Sequence, residues 1–459
     1  MTIPSAAGLL GNLVPHRFTP AAVEGQLPAW VNGTVFRNGP GLQERFGRRY
    51  DHLFEGDGAV AALRLAEGRA WSAHQLVRSE GFVAEEAAGR HLGSLAAPWP
   101  VRLYQLHFGT LKNTANTSVL SWQGRLFALM EGARPVELDP VDLSTVGETD
   151  LGTIDGTFSA HPHRVASRRT TYNFGLRYGR TTHLDVYGLP DEGAPRKLTS
   201  LPLPHPVMLH DFAVSEGHLV FFVAPLRVVP WRMMLALRPF HRNFAWHGEA
   251  GSEVIVVPID APEDVVRFEV PAFFQWHFGN AFDDGGDVVV DLVRYADAAS
   301  FPEMADMEEV AFDAAHLESE GRLCRIRIDL DGRRITTEQR LELPCEFPVV
   351  DPRRTGQPAA TTWVQVERFE EGLLRFGLAR VGRGEPVVRW WERGEHGSEP
   401  VLLPAPEGER DLLAAVVYDG HTQRSRWEIV DADRLHTVAV VPLQHAVPIT
   451  FHGCWADGG

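Results

Sequence analysis

Short runs of apolar residues recur along almost the whole chain, and Gly, Pro, Asp or Asn separates them. Arg125–Leu129, His218–Val223, Ser252–Val257, Asp287–Val293, Leu323–Leu330 and Leu412–Tyr418 are rich in Val, Ile, Phe and Leu. Such residues fit a pleated, buried surface, so each run predicts a strand. Asp331-Gly332, between Arg325–Leu330 and Arg333–Thr337, predicts a tight hairpin, and Asp419-Gly420 closes another strand in the same way. The pattern runs from about residue 30 to residue 452 with no polar linker. It predicts one all-β domain over 1–459, with a short N-terminal extension over about residues 1–30.

Helical periodicity is confined to two stretches. Glu303–Leu317 carries acidic residues in its first turn, where they suit the helix dipole. Val228–Trp246 mixes Met, Leu, Phe and Trp with Arg. It reads either as a buried connecting helix or as an interfacial patch, with apolar side chains dipping into lipid and Arg and Trp at headgroup level.

Charge and composition narrow the function classes. The 459 residues hold 44 Lys+Arg against 60 Asp+Glu, a net charge of −16, with no basic stripe to meet a phosphate backbone. A nucleic-acid partner is therefore not expected. The 3 cysteines, Cys324, Cys345 and Cys454, are too scattered for a disulfide framework or a thiolate metal site. Their odd number fits a reducing compartment. Neither a secretory leader nor an apolar run long enough to span a membrane is visible. The expected location is cytoplasmic, with peripheral membrane contact if the 228–246 patch is interfacial. Gly-rich Gly56-Asp-Gly58 lacks the Lys-Ser/Thr of a phosphate loop and reads as a turn at the face of a propeller.

The 20 histidines change the picture more. Four sit among strand-like or apolar neighbours: Ser159-Ala-His161-Pro-His163, Met208-Leu-His210-Asp-Phe212, Gln275-Trp-His277-Phe-Gly-Asn280 and Thr450-Phe-His452-Gly453. Many strands in a chain of this size suggest a propeller or a pair of sandwiches, and no WD or kelch repeat decides between them. Seven blades would take about 66 residues each. The four histidines are then spaced by about one, one and nearly three blades. On inner strands they would converge on a central axis, where imidazoles suit Fe, Cu, Zn or Ni. Taken singly, each reads more readily as a hydrogen-bonded core histidine than as a ligand.

Blocks along almost the whole chain carry a resemblance. They are Phe36-Arg-Asn-Gly-Pro40, Tyr50-Asp-His-Leu-Phe-Glu-Gly-Asp-Gly58, Lys112-Asn-Thr-Ala-Asn-Thr117, Glu131-Gly132, Glu137-Leu-Asp-Pro140, Ser159-Ala-His-Pro-His163, His210-Asp-Phe212, Trp276-His-Phe-Gly-Asn280, Glu346-Phe-Pro348 and Phe451-His-Gly453. Together and in this order they resemble the carotenoid cleavage oxygenase family, which includes retinal-pigment isomerohydrolases and stilbene-cleaving dioxygenases. The resemblance implies an all-β, seven-bladed β-propeller, with a helical and loop cap on the face that bears a non-haem Fe(II). It places the ligands at His161, His210, His277 and His452, taking the first histidine of the His161-Pro-His163 pair. It implies three glutamates that fix the ligand imidazoles, a second shell common to metal-bound histidines. Glu131 and Glu346 match two of them. The third belongs in a Glu-Asp-Asp-Gly-like stretch, and Pro406-Glu-Gly-Glu-Arg-Asp-Leu-Leu413 departs from that pattern, with Glu409 the choice and Glu407 the alternative. Thr117 is placed beside the iron.

The activity implied is cleavage of a C=C bond by O2 into two carbonyl products, a dioxygenase reaction on a small hydrophobic substrate. Length and shape of a tunnel would select the bond in an extended polyene. Phe54, Met130 and Trp276 are the candidate tunnel residues. An apocarotenoid or carotenoid substrate fits the blocks and would account for an interfacial patch. A stilbene or phenylpropanoid is the alternative, and it would need a Lys/Tyr pair to receive a phenolic hydroxyl, for which Tyr104 and Lys112 are the nearby residues. A non-catalytic propeller would have lost its ligand histidines, and an isomerohydrolase on the same site is not suggested by three cysteines.

Overall fold

Strands that read as continuous apolar runs are those buried on both faces. In a computed structural model, describing residues 4–93, 97–108, 112–235, 240–303, 319–358 and 361–458, Val254, Ile255, Val256 and Val257 are all fully buried. They lie in the third strand of one of seven antiparallel sheets arranged as the blades of a β-propeller.

In chain order, the first blade comprises His16–Ala21, Gly33–Leu42, Asp57–Ala66 and Arg69–Leu76, completed by Gly453–Asp457 from the far end of the chain. Blades two to six follow as four-stranded sheets beginning at Ser118–Trp122, His163–Val165, Ala213–Val214, Phe274–Asp284 and Cys345–Val349. The seventh is built on Leu412–Asp419, Arg424–Asp431 and Thr437–Pro442, with Glu395–Gly397 at one edge and Glu24–Gly25 at the other. Residues 1–30 are therefore not merely an extension, since His16–Ala21 and Glu24–Gly25 add strands to two blades.

Blades stacked face to face leave a separate core in each gap. Tyr172, Phe174, Phe212, Phe221 and Ile255 fill the one between blades three and four, and Val220, Val256, Phe278, Val290 and Ile326 the next. Ring closure has its own core, in which Val35, Leu63 and Leu65 of blade one meet Leu412, Trp427 and Ile429 of blade seven. The Asp331-Gly332 hairpin is present, joining Arg322–Asp329 to Arg334–Gln339. Gly56-Asp-Gly58, expected as a turn, leads from the short helical turn Leu53–Glu55 into the buried strand Asp57–Ala66. A Cβ on Gly58 would stand 2.2 Å from the Ala115 carbonyl oxygen, so only glycine allows that approach.

Helices are short and occupy connections. α1 (Glu80–Ala88) and α2 (Trp99–Phe108) link blades one and two, α3 (Pro230–Leu235) lies within blade four, and α4 (Ser300–Glu303) within blade five. The helix expected over Glu303–Leu317 falls, after its first residue, outside the described residues. Val228–Trp246 is not one buried helix. It comprises the end of strand Leu226–Val228, α3, a turn at Phe240–Asn243 and strand Phe244–Trp246. α3 leaves Trp231, Met234 and Leu235 exposed, beside Trp99 and Tyr104 of α2. Among the described residues, no helix is long and apolar enough to cross a membrane.

Candidate metal centre and its cavities

Each blade delivers one residue toward the axis, just before or within a strand at its inner edge. Thr117, His161, His210, His277, Glu346, Glu399 and His452 come from blades two, three, four, five, six, seven and one in turn. All four histidines are buried, and each offers a ring nitrogen within 4.8 Å of the others. Nε2 of His210 lies 3.0 Å from that of His161 and 3.2 Å from that of His277. Two imidazole nitrogens bound at about 2.1 Å to one ion would stand roughly 3.0–3.4 Å apart, so the four are spaced as donors to one ion. Burial pushes the His161 imidazole well below its usual pKa, and its three neighbours add to the effect. A neutral ring with a free lone pair is what a metal requires.

Three carboxylates stand behind the rings. Glu346 Oε2 is 2.5 Å from His277 Nδ1, and its Oε1 accepts from the Tyr295 hydroxyl at 3.0 Å. Glu131 Oε1 is 2.9 Å from His210 Nδ1, a hydrogen-bond distance outside the usual angular range. The third is Glu399, whose Oε1 is 3.0 Å from His452 Nδ1. Neither Glu409 nor Glu407 takes this place. Both are exposed in the polar turn after strand Val401–Leu403. Glu399 is held from behind by fully buried Arg37, which donates to its carbonyl oxygen at 2.6 Å and its carboxylate at 3.4 Å. Burial works to raise the Glu399 carboxyl, but His452 and Arg37 hold it below its usual range. Among the described residues His161 has no carboxylate within hydrogen-bond reach, Glu131 being 3.9 Å away. His163 turns outward to Asp211, 2.8 Å from Nε2. Asp211 also accepts from the N–H groups of Phe212 and Phe278, so it ties blade four to its neighbours on either side.

Arg37, Asp211 and Glu399 were not among the expected site residues, although Arg37 and Asp211 lie inside matched blocks. The available signal for Glu399 was position. Glu399-Pro400 opens an apolar strand at the axis, as Glu346-Phe-Pro348 does one blade earlier.

Two cavities, about 210 and 190 Å3, flank the histidines and share Phe54. Thr117, Trp276, His210, His277 and His452 line the first, and Met130 and Glu131 line the second. All three expected tunnel residues thus face cavity. Thr117 donates its hydroxyl to Asn116 and Glu131. Tyr104 and Lys112 do not form a pair. Tyr104 is exposed on α2, while the Lys112 amine is buried between Asp57 and Glu85.

The model of the retinal pigment epithelial membrane protein family matches residues 13–457. Apocarotenoid-15,15'-oxygenase of Synechocystis sp. is 30% identical, over 95% of this chain and 92% of that protein. Lignostilbene-alpha,beta-dioxygenase isozyme III of Sphingomonas paucimobilis is 27% identical over 99% and 98%. The structure of cobalt-substituted Synechocystis apocarotenoid oxygenase superposes with a TM-score of 0.88 at 28% identity, covering 98% of each chain.

Proposed function

Because the chain belongs to the retinal pigment epithelial membrane protein family of carotenoid oxygenases, we propose that it is a non-haem Fe(II) dioxygenase that cleaves a C=C bond of an apocarotenoid or carotenoid. One alkene and one O2 give two carbonyl products, which balances every atom. The observation that carries this reading is the ring of four buried histidines beside two largely apolar cavities, the first of which His210, His277 and His452 line.

His161, His210, His277 and His452 would hold the iron, whose bound form supplies the affinity for O2. The chain's own groups do the rest. Glu346, Glu131 and Glu399 each face an Nδ1 and fix which nitrogen points to the axis. Phe54, Trp276 and Met130 form walls that exclude water and hold a conjugated chain past the centre. Thr117, its hydroxyl turned to Asn116 and Glu131, keeps that side of the site narrow.

A phenolic stilbene is the less supported substrate. A phenol would need a free basic amine, and the Lys112 amine is committed to two carboxylates. The apolar side chains exposed on α2 and α3 support reversible contact with a membrane, where an apocarotenoid would be dissolved. Metal analysis after anaerobic purification should find about one iron per chain. Aerobic incubation with an apocarotenal should give two shorter aldehydes by mass spectrometry. Aromatic aldehydes from a hydroxystilbene, with the apocarotenal untouched, would reverse the substrate assignment.

A further inference from the structure

The first cavity does not end at the histidines. Its far wall comes from blades six and seven, where Gln365, Val366, Leu374, Phe376 and His396 line it. Most polar side chains along this cavity are already engaged. Thr450 accepts from Arg37, Ser398 accepts from the Val416 N–H, and Tyr295 donates to Glu346. Gln365 donates its amide to Gly397 O at 2.7 Å, which pins the strand carrying His396. The His396 ring bonds only its own backbone and makes no hydrogen bond to any other described residue. Its ring meets the Phe376 ring at 4.4 Å and 60°, and faces the cavity. Burial lowers its pKa to about 4, its own backbone opposing and Arg37 assisting the shift. The ring is therefore neutral at physiological pH, with one N–H to donate and one nitrogen to accept.

A half-buried imidazole bonded only to its own backbone has a second ring nitrogen left to pair, and a ligand that pairs it gains a hydrogen bond. We propose that His396 is a specificity residue that binds a hydroxyl on the terminal ring of the substrate, an inference that rests on the alkene-cleaving reading above. A hydroxyl both donates and accepts, which matches a neutral imidazole. An anion is disfavoured, because Glu346, Glu367 and Glu399 line the same cavity and the Arg37 guanidinium is spent on Glu399, Thr450 and Phe451. Phe376 and Leu374 beside His396 offer the flat apolar surface that a ring would cover.

The test uses iron-loaded protein and two apocarotenals that differ only in a hydroxyl on the ring. Anaerobic binding is followed by tryptophan quenching, and kcat/KM is measured aerobically. The parent protein should prefer the hydroxylated compound by about tenfold or more. His396→Phe should lose that preference, and His396→Gln, which keeps a donor and an acceptor, should retain part of it, with iron content unchanged in both. A second pair, 4-hydroxystilbene and stilbene, reports which carbon skeleton carries the hydroxyl. Equal preference in the parent protein and His396→Phe overturns the proposal, as does absence of any preference in the parent. If His396→Phe does not fold, an undiminished preference in His396→Ala overturns it. Selective binding without turnover would support the His396 site while removing the alkene-cleavage reading, so the two fail separately.

Discussion

A carboxylate that orients a ligand imidazole can be told from a bystander by its distance from the ring. Glu399 is 3.0 Å from His452 Nδ1, whereas Glu409 is exposed in a turn. Glu399→Gln should weaken iron retention or turnover by about 10–100-fold, and Glu409→Gln should change neither. Metal content after dialysis against a chelator reads both. His210→Ala or His277→Ala removes a donor from the centre of the cluster, and iron content should fall to background with activity lost. Full turnover by either variant would remove that histidine from the ligand set. At this scale the sequence was informative where residue type and neighbourhood coincide. The four histidines stand in apolar or strand-like settings, and the spacing of about one, one and three blades matches blades three, four, five and one. Glu399 escapes a comparison of motifs, because the Glu-Asp-Asp-Gly-like stretch that the resemblance implies points to the turn at residues 406–413. What matters is that a carboxylate opens a strand at the axis, and a lone Glu before Pro carries little compositional signal.

Among the elements, the strands were legible and the helices were not. Strands here are buried on both faces by neighbouring blades, so they appear as apolar runs bounded by turn residues. Val228–Trp246 has the composition of an amphipathic helix, yet Val229 N–H bonds Asn243 O at 2.8 Å, folding the segment back on itself. That return lifts α3 outward, with Trp231 and Met234 each 58% exposed. The indole N–H of Trp99 donates to Leu235 O at 2.8 Å and couples α2 to α3. Met234→Glu with Leu235→Glu should therefore reduce co-sedimentation with liposomes and leave iron content and the thermal transition unchanged. Undiminished liposome binding would mean that this patch does not meet lipid. Lys112 belongs to the same scale, because its buried amine joins the segment before blade two to Asp57 of blade one and Glu85 of α1. Lys112→Met would leave two buried carboxylates with one fewer cation, and should destabilise the fold by about 3–5 kcal/mol in denaturant titration.

For the whole molecule, the ring closes by two exchanges between its ends. Gly453–Asp457 pairs with Gly33–Leu42, and Glu24–Gly25 pairs with Thr437–Pro442. Neither pairing has a local sequence signature, since each joins residues more than 400 positions apart. The blade number was nevertheless accessible from length and from the histidine intervals. The same closure sets the order in which the centre can be made. His161, His210 and His277 emerge from the ribosome well before His452, about 175 residues after the third. At ~5–20 residues per second that is a delay of roughly 10–35 s. For that interval a nascent chain offers three imidazoles and an open ring, and the fourth arrives only with the strand that locks the first blade. A complete four-histidine centre thus waits for the strand that closes the ring, and metal captured by all four histidines marks a propeller that has already closed.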